Sequence, residues 1–476
     1  MKTKKSNLSI ALVLLFAFIL LSCNNKNEEK GNNNQKIPTQ KANIYKPAQF
    51  VDDIVCRTDQ SQTYAAYFPV SYNPKIEMPI IVVFDAHARG KMAVKKFKKA
   101  ADEFGYVVVA SNNAKNGLKT INKTINALFD DIFYRFKINE NRVYTAGFSG
   151  GAKIASSIAI YKGGIAGVIA ISSGFAKIGQ EIPHKFSFAS IVGVEDFNYL
   201  ELTMLDEQMR QVGFPSMLAI TPMGHEWPDE NVLLKTIEWL EIQSMKRSII
   251  PVNDNLIRNY SLNTADSINK LMLIGKVYNA KKLYEQFLST IDGLYDITGY
   301  QKSYEEFLKN PDIQKQEAEI ELSANNESDK QQEYVSLFKR QDFRKLQNEI
   351  NVLKSDNQTK NVLKKNSSMR LLNYISMLSY IFTDGAINAG DFDTATKYLD
   401  IYKSADPNNP DFYYFEACIF ANKNMQKEAL KSLGSAVHYG FFDISKLEST
   451  DYFVKLRQLP EFEELTKGAK SNFEKI

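Results

Sequence analysis

The stretch Arg142-Val-Tyr-Thr-Ala-Gly-Phe-Ser-Gly-Gly-Ala-Lys153 decides how the rest of this 476-residue chain is read. An apolar run ends in a tight glycine-flanked turn carrying Ser149, and Ile154, Ala155, Ile158, Ala159 and Ile160 then recur at helical spacing. Gly147-Phe-Ser-Gly-Gly151 has the form G-x-S-x-G, in which a strained strand-to-helix turn lifts a serine hydroxyl above the end of a parallel sheet. The flanking glycines answer a steric demand, because the turn leaves no room for a Cβ. An ordinary glycine-rich connection could carry the same five residues, so the surroundings must decide.

Those surroundings alternate strands with helices. Residues 63–69 read as a strand and 79–84 as a buried strand; 93–104 read as one amphipathic helix, 106–110 as another buried strand and 121–136 as a helix. After the quoted stretch come strands at 167–172, 188–193 and 217–221 and a closing helix at 231–243. Continuous Val and Ile runs separated by helices predict a mostly parallel sheet covered by helices on both faces.

Loops at the carboxyl ends of such strands carry function. Glu195-Asp-Phe-Asn198 follows one strand and Pro222-Met-Gly-His-Glu-Trp-Pro228 follows the last. A serine hydroxyl needs an imidazole to take its proton, and the imidazole needs a carboxylate to hold its tautomer and balance its charge. Ser149 is therefore expected as nucleophile, His225 as base and acid, and Asp196 as the orienting carboxylate, with Glu195 adjacent and Asp206 a little downstream as other acids in the region. Of the four histidines, His87, His184, His225 and His438, His225 alone follows the last strand. Gly150 should supply one backbone N–H to an oxyanion, and Ala88, in the loop Phe84-Asp-Ala-His-Ala-Arg-Gly90, the second. His87 could shape that loop, contact substrate or make a structural hydrogen bond.

Together these residues resemble the secreted serine esterases of the polyhydroxybutyrate depolymerase, feruloyl esterase and acetylxylan esterase type, within the α/β-hydrolase superfamily. The resemblance covers roughly residues 53–243 and rests on the serine turn, Asp196 and the Gly-His-Glu-Trp-Pro segment. It implies an α/β-hydrolase fold and ester hydrolysis through an acyl-enzyme, with no metal and no cofactor. An acylated carbohydrate is one substrate class it suggests. A serine peptidase would use the same groups.

The chain begins with Lys2, Lys4 and Lys5 and an apolar run from Ile10 to Leu21, too short for an ordinary membrane span, which makes residues 1–22 a signal peptide. Leu20-Leu-Ser-Cys23 resembles the lipobox of bacterial lipoproteins, which implies a lipid on Cys23, a membrane tether and a place in the cell envelope, periplasmic or on the surface. Residues 23–49 read as a flexible linker, rich in Asn, Lys, Glu and Gln. Without the signal peptide the balance is 56 basic to 55 acidic residues, which offers no electrostatic reason for a nucleic-acid partner. Cys56 and Cys418 stand too far apart in sequence to indicate a disulfide framework.

The hydrolase segment is expected at residues 50–247 and a helical domain at 251–476. Residues 309–361 are dense in Gln, Glu, Lys and Asn and read as long exposed helices with no catalytic pattern. Ala395 and Ala429, Leu399 and Leu433, and Tyr380 and Tyr414 each lie 34 residues apart, a period that resembles tetratricopeptide repeats and is clearest over 371–440. Such a domain either docks a protein partner or serves only to pack on the hydrolase or enlarge its substrate cleft. A rival reading makes it the working part of a scaffold lipoprotein with a weakly active or inactive hydrolase.

Overall fold

The computed structural model describes residues 45–176 and 182–475. The predicted signal peptide, Cys23 and most of the linker lie outside the described residues. Eight strands form one sheet: β1 Gln49–Val55, β2 Thr63–Phe68, β3 Met78–Asp85, β4 Val107–Ser111, β5 Ile138–Phe148, β6 Gly167–Ile171, β7 Ser187–Gly193 and β8 Ser216–Thr221. Their order is β1-β2-β4-β3-β5-β6-β7-β8. The β1–β2 and β2–β4 pairs are antiparallel, and every other pair is parallel. All eight residues of β3 are buried, as a strand covered on both faces requires.

Six helices accompany the sheet: α1 Gly90–Lys96, α2 Lys98–Phe104, α3 Ile121–Arg135, α4 Gly150–Tyr161, α5 Tyr199–Gln211 and α6 Glu230–Lys246. Ala127 and Leu128 of α3, Ala152 of α4 and Leu202 of α5 pack on one face with Val82, Val109 and Phe188. Met92 of α1, Ala100 of α2 and Leu233 and Ile237 of α6 pack on the other with Ile81, Val108 and Ile169. This is an α/β-hydrolase fold. Two readings of the sequence need correction. The single helix expected over 93–104 breaks at the fully buried Phe97, which caps α1 and starts α2, so that α1 faces the sheet while α2 turns onto α6. Strand β1 was not foreseen, because Gln49-Phe-Val-Asp-Asp-Ile-Val55 sits at a sheet edge with a register shift and carries little apolar alternation. Tyr45, inside the stretch expected as linker, stacks its ring on Phe68 at 4.5 Å.

The rest is helical: α7 Asp254–Leu273, α8 Val277–Ile291, α9 Thr298–Phe307, α10 Asp312–Arg340, α11 Phe343–Asp356, α12 Val362–Asn388, α13 Phe392–Ala405, α14 Pro410–Asn422, α15 Gln426–His438, α16 Ile444–Ser449 and α17 Pro460–Lys475. Helix α12 pairs with α13 and α14 with α15. Ala395, Leu399, Ala429 and Leu433, the residues 34 apart in sequence, are all buried. Phe412, Tyr414 and Phe415 belong to the core between these helices. Among the described residues, no helix is long and apolar enough to cross a membrane.

Among the described residues, the helices from α7 onward meet the α/β part at several places, among them a shared core of Ile242 and Met245 of α6 with Ile257 and Phe287. Gln286 of α8 accepts the backbone N–H of Leu218 (3.2 Å), covering the edge of β8 that a free strand would expose. Helices α10 and α12 bond to the loop after β7, and Phe442 and Ser445 approach the loops after β3 and β4.

Candidate active site

Strands β3 and β5 are neighbours, with Phe84 opposite Gly147 and Asp85 opposite Phe148, so their terminal loops emerge side by side. Ser149 follows β5 at φ 55° and ψ −120°, a left-handed conformation that costs a non-glycine residue on the order of 1–3 kcal/mol. Its N–H donates to Ile171 O at 2.9 Å, and α4 starts at the next residue. A Cβ on Gly147 would stand 2.2 Å from Gly151 O, and one on Gly151 would stand 2.1 Å from Phe84 O. The G-x-S-x-G pattern is thus the trace of a helix pressed against two strands.

Ser149 Oγ lies 2.9 Å from His225 Nε2, and His225 Nδ1 lies 3.0 Å from Asp196 Oδ1. Asp196 is fully buried, and Oδ1 also accepts the N–H of Asn198 at 2.9 Å. Backbone bonds stitch the acid loop to the histidine loop: Val194 N–H donates to Thr221 O (2.9 Å) and Glu195 N–H to Met223 O (3.2 Å). Gly193 permits that approach, since a Cβ there would lie 2.1 Å from Met223 O. Asp206 is held elsewhere in this arrangement, accepting from Ser216 Oγ at 2.6 Å and Arg210 Nε at 2.9 Å. The His225 ring is held between Phe148, 5.0 Å away, and Phe197, stacked at 4.3 Å.

Gly150 is the first residue of α4, where backbone N–H groups have no partner inside the helix and the helix dipole is positive. The side chain of Asn116, from the loop after β4, occupies the space beside it, with Oδ1 1.8 Å from where a Cβ would stand. Ala88 does not take its expected place as a free donor. It sits at φ 60°, and its N–H donates to Asp85 O at 3.1 Å, closing a turn.

Asp85 organises that turn. Buried at the end of β3, it accepts five N–H groups: His87 N at 2.9 Å, Arg89 N at 3.3 Å, Arg89 Nε at 2.9 Å, Arg89 Nη2 at 2.8 Å and Trp227 Nε1 at 2.9 Å. Burial alone would push its carboxyl up, but the Arg89 fork and charge, with the Trp227 N–H, outweigh it and hold the group below the usual aspartate range. Trp227 thereby ties the histidine loop to the loop after β3. His87 sets its ring edge against Phe442 at 5.2 Å, and the Arg89 guanidinium lies 5.0 Å from the same ring.

Sequence reasoning missed Asp85, Asn116 and Phe197. Asp85 carried a signal, as a lone acid ending an otherwise apolar strand; the other two are placed only by contacts between distant loops. Among the described residues, no group of His, Cys, Asp and Glu could hold a metal ion.

No family model matches this chain, and no curated protein matches it in sequence. Among solved structures, an S-formylglutathione hydrolase from Staphylococcus aureus aligns at 12% identity over 41% of this chain and 98% of its own, with a TM-score of 0.34. An esterase from Pyrobaculum calidifontis aligns at 12% identity over 43% and 87% with a TM-score of 0.34, and a ferulic acid esterase at 16% over 40% and 96% with a TM-score of 0.32.

Proposed function

We propose that this chain is a serine hydrolase that cleaves carboxylic esters through an acyl-enzyme. The reading is carried by one observation: Ser149 Oγ, His225 and the buried Asp196 form a continuous hydrogen-bonded line, with steps of 2.9 and 3.0 Å. In the first half-reaction His225 Nε2 takes the Ser149 proton as Oγ attacks the ester carbonyl, and Asp196 holds the proton on Nδ1 and balances the imidazolium. Gly150 N–H, at the positive end of α4, faces the developing oxyanion. His225 then gives its proton to the departing alcohol, leaving the acyl group on Ser149. Water repeats the cycle, attacking the acyl carbon as His225 takes its proton, and Ser149 leaves with that proton. The family resemblance supports esters over amides, acylated carbohydrates among them.

The lipobox-like segment ending at Cys23 supports a lipid-anchored envelope protein. The 34-residue period supports tetratricopeptide-like units in the helical domain, with a surface for a protein partner.

The test is labelling with a fluorophosphonate probe, followed by a panel of acyl esters and peptide anilides. Wild-type protein should form an adduct that Ser149→Ala abolishes, with turnover of esters. No adduct on folded protein would leave the scaffold reading standing, and cleavage of anilides alone would make the enzyme a peptidase. Incorporation of labelled palmitate should vanish in Cys23→Ala.

A further inference from the structure

The loop that carries Asp196 is bonded on its far side to helices more than a hundred residues away. Arg370 of α12 donates Nη1 to Val194 O at 2.8 Å, Asn373 of the same helix donates Nδ2 to Glu195 O at 2.8 Å, and Gln331 of α10 donates Nε2 to Phe197 O at 3.4 Å. These carbonyls bracket Asp196. Arg370 is itself aimed: Nε and Nη2 meet Glu327 Oε1 and Oε2 of α10 at 2.8 and 2.6 Å, and its guanidinium lies over the Tyr199 ring at 4.4 Å. The Glu327 side chain is fully buried and that of Arg370 is 8% exposed. Phe197, which stacks on His225, also packs against the α10–α13 core that contains Tyr334, Leu371 and Ile375.

Burying a charged pair is costly, and apolar residues of similar volume hold two helices together equally well or better. The pair at this spot supplies what apolar packing does not, a spare N–H aimed at the acid loop. We propose that Glu327, Arg370 and Asn373 are positioning residues: they fix the loop over 194–198, and so set Asp196 and Phe197 against His225, making the helical domain part of the hydrolase machinery. This rests on the serine-hydrolase reading above.

The experiment uses the full chain. The double variant Glu327→Leu/Arg370→Met removes the pair without leaving either charge alone, and Asn373→Ala removes a single hydrogen bond at the domain surface, so it carries the test if the double variant does not fold. Melting temperature, fluorophosphonate labelling rate at Ser149, and kcat and KM on a short-chain nitrophenyl ester are measured. Loss of orientation of a catalytic group by about an ångström costs up to ~100-fold, so we expect the double variant to lose roughly tenfold or more in kcat and labelling rate. Asn373→Ala should lose about threefold, with KM within about twofold for both. In an Asp196→Asn background the same changes should have little further effect, because the group they position is already compromised. Folded variants that label and turn over at the wild-type rate would overturn the proposal, as would equal losses with and without Asp196. Absence of labelling in the unsubstituted protein is a separate result: it defeats the serine-hydrolase reading, and this inference with it.

Discussion

Two buried arginine-carboxylate forks stand near Ser149, and they are built on opposite plans. Asp85 and Arg89 are four residues apart in one loop, while Glu327 and Arg370 are 43 apart on two helices of the other domain. In the first, the carboxylate is the hub, collecting backbone N–H groups and the Trp227 indole besides its arginine. In the second, the arginine is the hub, spending two N–H groups on Glu327 and a third on Val194 O. A carboxylate hub shapes its own loop by gathering local donors. An arginine hub locates a loop it does not belong to, because its planar fork can face two partners at once.

The largest stability effect should come from Asp85→Ala, which leaves Arg89 buried without its counter-charge; we expect a loss of about 3–5 kcal/mol in urea denaturation. Next, replacing both partners should separate the two plans. Glu327→Leu/Arg370→Met should stay within about 1 kcal/mol of wild type, whereas Asp85→Leu/Arg89→Met should lose about 2–4 kcal/mol, because it orphans N–H donors at His87, at the backbone of residue 89 and at Trp227. Equal outcomes for the two doubles would erase the distinction. Trp227→Phe removes one of those donors together with part of a buried ring, so it should cost about 1–3 kcal/mol.

The local fork should also be readable in pH. Because the Asp85 carboxyl is held below its unfolded value, its stabilisation is fully present above ~3.9 and is lost as pH falls through the folded-state value. The gap between wild type and Asp85→Asn should therefore be constant from neutral pH down to about 4 and shrink below that. The smallest effect belongs to an exposed pair of the same i, i+4 spacing: Lys270→Ala, opposite Asp266 on α7, should not change the denaturation midpoint measurably.

Much of the fold was legible because its rules act between neighbours. Seven of the eight strands and the break from sheet to helices were visible as apolar runs of strand length. The exception, β1, is an edge strand whose partner supplies most of what defines it. At the site, Ser149 was named from its glycine-flanked turn and Asp196 and His225 from their order on strand-end loops, and the structure sets His225 within hydrogen-bonding distance of both others. Ala88 was misjudged because a backbone N–H carries no mark in sequence of where its bond will go. Glu327 did leave a trace: it falls seven residues from Ile320 and from Tyr334, in the stripe that also holds Ile313, so a charge stands where the helix buries its core face.

The residue order by itself determined the parallel sheet, the strained serine turn and the succession of serine, acid and histidine on strand ends. Those follow from alternation, short-range sterics and the chain direction of a βα unit. Tertiary structure decided which N–H groups remain free, that Trp227 answers to Asp85, and that Arg370 reaches back across the chain to the loop of Asp196. Contacts between residues far apart in sequence depend on how whole elements pack, and no local pattern records that.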